Sequence, residues 1–215
     1  MATPFLQTLA QSLLEQGLFP APETLSRFEL HFRLLCEWNQ FTSLTTVTEP
    51  IAAARFHFLE SLLAFPLMQQ ADQITTWIDV GSGGGFPGLP LAAMCHVKHF
   101  ILAESQLKKT VFLKEVIKQL GLSNVTVFHG RITEQFHLPG IKLPTPHEIG
   151  LLSRAIEKMP QQIPHLLNPS RICQAILWMG NKDISSLQPI TGDWQKTLIH
   201  LPETNERKIV SLTQR

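Results

Sequence analysis

The sequence predicts an α/β fold, a doubly wound seven-stranded sheet preceded by a helical N-terminal extension. The apolar spacing is helical up to about residue 70, seven short apolar runs alternate with helical segments beyond it, and a glycine-rich turn follows the first run. Such alternation is typical of a mostly parallel sheet covered on both faces. We therefore expect residues 1–69 to form a helical extension packed on the core and residues 70–215 to form the sheet domain.

The extension is predicted to contain three helices. Phe5, Leu9 and Leu13 recur every four residues, which places them on one helix face. A second helix is expected to begin after Pro22, and a third after Thr48, with Pro50 in its first turn. Each helix has an apolar face that so short a segment cannot bury alone, so we expect all three to pack on the sheet domain.

The sheet domain is predicted from its apolar runs. The expected strands are Thr76–Val80, His99–Ala103, Val125–Phe128, Ile149–Ser153, Ile172–Met179, Gln195–His200 and Lys208–Leu212. The expected helices are Pro87–Cys95, Lys108–Leu120 and Glu157–Leu167. The proline-rich stretch Leu138–His147 is predicted to be a loop.

Charge and composition limit the classes of protein that fit. The chain has 18 lysines and arginines against 17 aspartates and glutamates, so its net charge of +1 does not indicate a nucleic-acid binder. The three cysteines lack metal-ligand spacing, which favours reduced cytoplasmic thiols and no metal site. No secretory leader is evident, and no apolar stretch approaches the roughly 18 residues of a membrane span. We expect a soluble, cytoplasmic monomer with no membrane contact.

The glycine-rich turn is the most informative stretch. A buried strand runs directly into Gly81, Gly83, Gly84 and Gly85, and a helix is expected to begin near Pro87. Glycines there permit positive φ angles and a close approach of the backbone to a ligand, and a helix N-terminus offers free N–H groups. Dinucleotide-binding domains and plain tight turns share this pattern, so it does not identify the ligand by itself.

Two acidic residues narrow the choice of ligand. Asp79 precedes the first glycine by two residues, where its carboxylate can reach an ammonium group or a bound water. Glu104 ends the next strand, where an acid can accept hydrogen bonds from ribose hydroxyls. A pyrophosphate on this turn is itself an anion and would not be stabilised by the carboxylate of residue 79. The pair therefore favours S-adenosylmethionine over NAD.

Beyond these residues, the chain resembles the RsmG (GidB) family of 16S ribosomal RNA guanine-N7 methyltransferases. The matching segments, in order, are Trp38-Asn39, Leu44-Thr45, 57–62, 78–90, Glu104-Ser105, Lys108-Lys109, 111–116, Gly121-Leu122, 129–131 and 153–155. The resemblance implies a Rossmann-like methyltransferase sheet, S-adenosylmethionine as cofactor and 16S rRNA as partner, free or within the small ribosomal subunit. Ser43, Phe56, Thr133 and Met179 depart from the family pattern.

The resemblance also implies roles for particular residues. Gly81 and Phe86 would line the cofactor, with Glu104 on its ribose, and Ile132 and Thr133 would flank its adenine. Arg154 would lie at the mouth shared by cofactor and substrate. With the glycine turn, the predicted cofactor-binding set is Asp79, Gly81, Gly83, Gly85, Phe86, Glu104, Ile132, Thr133 and Arg154. Arg131 and Arg154 follow predicted strands at their carboxyl ends and are the candidate catalytic residues.

The expected chemistry needs no catalytic base. Guanine N7 carries a lone pair and no proton, so it can attack a methyl sulfonium once the reacting atoms are held in line. Two alternatives stay open at this point. The chain could methylate another RNA or a small molecule, or it could be a non-catalytic nucleotide-binding module.

Overall fold

The structure, a computed structural model, describes residues 2–145, 147–154, 159–167, 170–187, 192–202 and 204–214. Its seven strands are β1 (Thr76–Val80), β2 (His99–Glu104), β3 (Val125–His129), β4 (Ile149–Ser153), β5 (Ile172–Gly180), β6 (Trp194–Leu201) and β7 (Thr204–Gln214). They form one sheet in the order β3-β2-β1-β4-β5-β7-β6. The first five pair in parallel, and β7 is antiparallel to both β5 and β6. The predicted doubly wound α/β sheet is confirmed.

Helices cover the sheet on both faces. They are α1 (Pro4–Glu15), α2 (Pro22–Asn39), α3 (Pro50–Ala53), α4 (Glu60–Leu62), α5 (Phe65–Gln69), α6 (Gly88–Met94), α7 (Leu107–Leu120), α8 (Met159–Leu166) and α9 (Asn181–Ser186). The start of the predicted helix Glu157–Leu167 lies outside the described residues, as does Pro146 of the predicted loop. Helix α9 was not predicted, because its polar sequence has no apolar stripe.

The third predicted helix is interrupted by a wide turn. A π-helical segment, Ala54–Leu59, separates α3 from α4, and we refer to it as the π turn. The prediction missed it because a π turn leaves no mark in the apolar spacing. Before it, the Glu49 carboxylate caps α3 by accepting hydrogen bonds from the N–H groups of Ile51 and Ala52.

The helical run Pro50–Gln69 corrects one expectation about hydropathy. It has 20 residues and a mean hydropathy of 1.3, so by length and composition it could cross a membrane. The expectation that no apolar stretch approaches this length was wrong. The small and aromatic residues of the run make it more apolar than we expected from the sequence. Within the structure, 56% of the run's most apolar window is buried. Core helices of soluble proteins show the same property.

Two hydrophobic clusters lie on opposite faces of the sheet. The larger one combines side chains of the N-terminal helices, such as Phe5, Phe28 and Phe58, with Phe100 of β2 and Phe112 of α7. The second cluster lies beneath α8 and the segment that follows β3. Residues 2–69 thus share one core with the sheet, and the boundary after residue 69 stays a prediction.

Candidate active site

The candidate site lies at the carboxyl edge of the sheet, where β1, β2 and β4 end side by side. The glycine turn leaves β1 at this edge, and its first N–H group, that of Gly81, bonds to the carbonyl of Ala103 at 2.9 Å. The Ser153 hydroxyl at the end of β4 donates to the carbonyl of Val80 at 3.0 Å. These bonds fix the turn between the two neighbouring strands.

The turn depends on its glycines for both conformation and space. Gly81, Gly83 and Gly85 have φ angles of 77°, 54° and 90°, in the region that side chains disfavour. A Cβ atom at Gly85 would collide with Leu89 and lie 3.3 Å from the His31 ring. The sequence-based prediction of a turn that requires glycine therefore agrees with the geometry.

Asp79 is fully buried behind the turn. Its Oδ2 atom accepts a hydrogen bond of 3.0 Å from the N–H of Gly88, at the start of α6. Its Oδ1 atom has no hydrogen-bond partner among the described residues. Burial raises the pKa of Asp79 to about 7, although the bond from Gly88 opposes that rise. The carboxyl group thus braces the turn and keeps one oxygen available to a ligand or a bound water.

Glu104 ties the end of β2 to the same turn. One carboxylate oxygen accepts the N–H of Gly83 at 3.0 Å, and the other accepts the N–H of Gln106 at 2.8 Å. The side chain is largely buried, at 6% exposure. Since each carboxylate oxygen can accept two hydrogen bonds, Glu104 retains capacity for a ligand hydroxyl.

Phe86 forms the centre of a three-ring stack, which we call the imidazole stack. The His31 and His57 rings lie parallel to it on either side, each with a centroid distance of 4.7 Å. His31 donates to the carbonyl of Gly84 at 2.9 Å. Burial lowers the pKa of His31 to about 4 and that of His57 to about 3, so both imidazoles are neutral at pH 7. The N-terminal helices therefore contact the glycine turn directly.

A closed loop connects α2 to the imidazole stack. The Asn39 amide oxygen accepts the N–H groups of Leu44 and Thr45, and its amide nitrogen donates to the Thr45 carbonyl at 2.9 Å. The Thr45 hydroxyl then lies 2.9 Å from the His57 Nε2 atom, which also bonds to the Val47 carbonyl. This chain of bonds fixes the orientation of the His57 ring.

Arg154 occupies a buried position at the end of β4. Its guanidinium donates to the carbonyls of Phe56 and His57 in the π turn and lies 3.2 Å from the Glu60 carboxylate. Burial lowers the pKa of Arg154 to about 10, and the Glu60 carboxylate opposes that decrease. Direct contact of Arg154 with cofactor or substrate stays a prediction.

The three candidates that follow β3 lie in one short segment. Arg131 and Thr133 are exposed, whereas Ile132 is buried in the second hydrophobic cluster. Ile132 and Thr133 line a cleft of about 420 Å³, together with Glu134, Gln135, Gln162, His165 and Leu166. A larger groove, of about 720 Å³, runs along α1 and α2. The predicted adenine contacts thus border a cavity, but their role stays a prediction.

Three residues at this site were not predicted from the sequence. Glu60 and Arg207 form a bidentate ion pair, with N–O distances of 2.8 and 2.9 Å. His31 supplies one face of the imidazole stack. An acid inside the apolar helix around Glu60 was a usable signal, because a buried carboxylate needs a partner. Arg207 preceded the predicted strand Lys208–Leu212 and carried no signal of its own.

Comparisons with known proteins bear on this arrangement. The family model described as GidB, rRNA small subunit methyltransferase G, matches residues 24–183, a span that contains every candidate site residue. A ribosomal RNA small subunit methyltransferase G of Coxiella burnetii is 36% identical over 196 residues, covering 91% of this chain and 89% of that protein. One of Dichelobacter nodosus is 38% identical over 152 residues, covering 68% and 67% respectively.

A solved structure is similar in fold. The O-methyltransferase of Bacillus cereus, in complex with SAH, superposes with a TM-score of 0.61 over 97% of this chain and 100% of that one. The two sequences are 13% identical, so the likeness concerns the sheet and its helices alone.

Among the described residues, no group of three or more His, Cys, Asp or Glu side chains could hold a metal ion.

Proposed function

This chain belongs to the GidB family of small-subunit rRNA methyltransferases, and we propose that it transfers a methyl group from S-adenosylmethionine to N7 of a guanine in 16S rRNA. One observation carries the proposal. The glycine turn, Asp79 and Glu104 meet at the carboxyl edge of the sheet, beside the point where the strand order reverses between β1 and β4. Open α/β sheets bind their ligands at such switch points.

The residues at the turn fit the proposed cofactor. A Cβ atom at Gly88 would lie 2.6 Å from Asp79 Oδ2, so the backbone is packed tightly behind the glycine turn. The unpartnered Oδ1 of Asp79 is an acceptor suited to the ammonium of the methionine part, directly or through a water. Glu104 keeps acceptor capacity that the ribose hydroxyls would use, and the adenine would enter the cleft that Ile132 and Thr133 border. Gly81, Gly83, Gly85 and Phe86 would line the remainder.

The protein's part in the reaction is orientation. S-adenosylmethionine supplies an electrophilic methyl carbon on a sulfonium, and guanine N7 supplies the electron pair. N7 has no proton to lose, so no side chain has to act as a base. The turn and Glu104 hold the donor side, and the acceptor must be held in line by the surface around the site, which is catalysis by proximity.

RNA contact in this proposal relies on local charge. Exposed Arg131 follows β3 at the edge of the site, and Lys108, Lys114 and Lys118 are exposed on α7. Phosphate contacts by lysine and arginine position RNA without reading its sequence. With a net charge of only +1, the protein would depend on this patch or on a substrate presented within the small subunit. We further propose that it acts as a cytoplasmic monomer, since one chain supplies the whole turn.

Methylation assays test the proposal. Purified protein and methyl-labelled S-adenosylmethionine are incubated with small subunits, naked 16S rRNA or unrelated RNA lacking the modification, and digested RNA is analysed by mass spectrometry. The expected product is N7-methylguanosine in 16S rRNA, lost in Asp79→Ala and retained in Asp72→Ala, an exposed carboxylate. If the labelled methyl group appeared only in the unrelated RNA, the acceptor would not be 16S rRNA. Binding of NAD in place of S-adenosylmethionine would reject it.

A further inference from the structure

We propose that Glu60 is a positioning residue, whose carboxylate holds Arg154 and Arg207 so that Arg154 fastens the π turn and keeps His57 stacked on Phe86. Glu60, Arg154 and Arg207 come from α4, the end of β4 and the start of β7. The inference rests on the proposed function only in that the glycine turn carrying Phe86 is taken to bind S-adenosylmethionine.

The charge cluster is buried and closely bonded. The Glu60 side chain is 1% exposed, that of Arg154 is 8% exposed and that of Arg207 is 30% exposed. Arg207 binds both carboxylate oxygens, at 2.9 and 2.8 Å, and Arg154 lies 3.2 Å from one of them. Such bidentate, charge-assisted bonds are stronger and more directional than neutral ones.

One aromatic ring, that of Phe56, contacts both guanidinium groups. The guanidinium carbon atoms of Arg154 and Arg207 lie 4.4 and 4.3 Å from the centroid of Phe56. Two cations this close to one ring would repel each other, and the Glu60 carboxylate offsets that repulsion.

Arg154 connects the charge cluster to the π turn. Its guanidinium bonds to the carbonyls of Phe56 and His57, two consecutive residues of the turn. The Ser61 hydroxyl also donates to the His57 carbonyl. Carbonyl groups of a wide turn are less regularly paired than those of an α-helix, so external donors define its shape. With Glu60 neutral, Arg154 would lose the anion that holds it against these carbonyls.

The π turn in turn contacts the glycine turn through His57. His57 belongs to the turn, and its ring stacks on Phe86 at the end of the glycine turn. A second contact from the same region comes from Trp178, whose indole N–H donates to the Glu60 carbonyl at 2.9 Å. Glu60 thus anchors the segment that covers one face of Phe86.

The test uses the full chain and two readouts. In the ligand-free protein, ring current from Phe86 displaces the His57 imidazole resonance, which His57→Gln identifies. We expect Glu60→Gln to move that resonance toward its unstacked position and to weaken S-adenosylmethionine binding about 10- to 100-fold in calorimetry. Glu60→Asp, which keeps the charge, should restore most of both. Glu23→Gln, which is exposed in the first turn of α2, is the control and should change neither.

Each outcome has a definite meaning. Unchanged resonance and affinity in a folded Glu60→Gln protein would overturn the inference, as would a lower unfolding midpoint with both readouts unchanged. Should Glu60→Gln fail to fold, Arg207→Gln removes the bidentate partner from the more exposed side and must shift the His57 resonance in the same direction. A wild-type protein that binds no S-adenosylmethionine would count against the proposed function, while the resonance would still test the positioning.

Discussion

Gly88 is a position where the site has no room for a side chain. A Cβ atom there would collide with Leu102 and lie 2.6 Å from Asp79 Oδ2, both of them in the buried sheet. We expect Gly88→Ala to lower the free energy of unfolding by about 1–3 kcal/mol, because overpacking forces neighbours to move. It should also weaken S-adenosylmethionine binding, because the bond from Gly88 to Asp79 must shift. Urea denaturation and calorimetric titration measure the two effects.

Gly180→Ala is the matched control for that substitution. The nearest atom to a Cβ at Gly180 is Asp183 Oδ2, at 3.5 Å, and its φ of −69° suits any residue. Its stability and its ligand affinity should stay close to the wild-type values. Equal losses in both variants would show that the crowding behind the turn has no special effect.

Asp79 is expected to make stability depend on pH. Its pKa rises from 3.8 to about 7 on folding, so the folded state holds the proton more tightly. The stabilisation that results is complete below about pH 4 and is lost as the pH rises through about 7. Over that range the free energy of unfolding falls by at most about 1.4 kcal/mol per pH unit. Asp79→Asn keeps an acceptor for Gly88 and removes the titration. Its free energy of unfolding should therefore fall less than that of the wild type between pH 4 and 7.

Urea denaturation of both proteins at several pH values provides the measurement. His31 and His57 titrate in both proteins, and their lowered pKa values cause a loss of stability on acidification below about pH 6.5. Their contribution therefore cancels in the difference between wild type and variant. A difference that stays constant from pH 4 to 7 would contradict the predicted titration of Asp79.

Among the elements, the loop closed by Asn39 has the clearest energetic basis. Asn39→Ala would remove the partners of the Leu44 N–H, the Thr45 N–H and the Thr45 carbonyl. We expect a loss of about 1–3 kcal/mol in the free energy of unfolding, since unmade backbone hydrogen bonds are costly. The His57 ring should also lose order, because Thr45 contacts it. Urea denaturation and the His57 resonance report these changes.

Asn181→Ala offers a comparison, because the Asn181 side chain donates one exposed hydrogen bond, to the Asn205 carbonyl. Its expected loss of stability is below about 1 kcal/mol. Losses of similar size in the two variants would mean that the Asn39 loop is not held by its side-chain bonds.

The regular elements were largely predictable from the sequence, and the exceptions have physical reasons. Strands β1 and β4 match their predicted bounds, because their five residues are all buried and most of them are apolar. Strand β6 extends to Trp194–Leu201, beyond the prediction, because most of its side chains are exposed and give little apolar signal. The π turn and α9 were missed, since neither depends on an apolar period.

For the whole molecule, the shared core predicts cooperative unfolding. Trp38, in the N-terminal helices, packs 5.8 Å from the Phe112 ring of the sheet domain. We expect residues 1–69 and 70–215 to unfold in one transition, because separation would expose the larger hydrophobic cluster to water. Fluorotryptophan labelling of the four tryptophans allows each to be followed by ¹⁹F resonance in urea. Coincident midpoints for Trp38 and Trp178 are the expected result.

A different result would support two folding units. If the native Trp38 resonance disappeared at lower urea concentration than that of Trp178, the N-terminal helices would unfold independently. The boundary proposed after residue 69 would then mark a true domain limit rather than a change in secondary structure.

The site itself was predictable only in part. Asp79, the glycines and Glu104 lie in a local motif whose geometry follows from one strand, one turn and the next strand. The Glu60–Arg207 pair joins residues 147 positions apart, and no local pattern links them. Its existence follows from the sheet order, which brings the start of β7 beside the end of β5.

That same pair makes completion of the protein depend on the order of its synthesis. Chains leave the ribosome N-terminus first, at about 5–20 residues per second, so Glu60 emerges about 7–30 s before Arg207. Until then the Glu60 carboxylate lacks its bidentate partner. A nascent chain can therefore form the glycine turn well before the segment around Glu60 has all of its bonds.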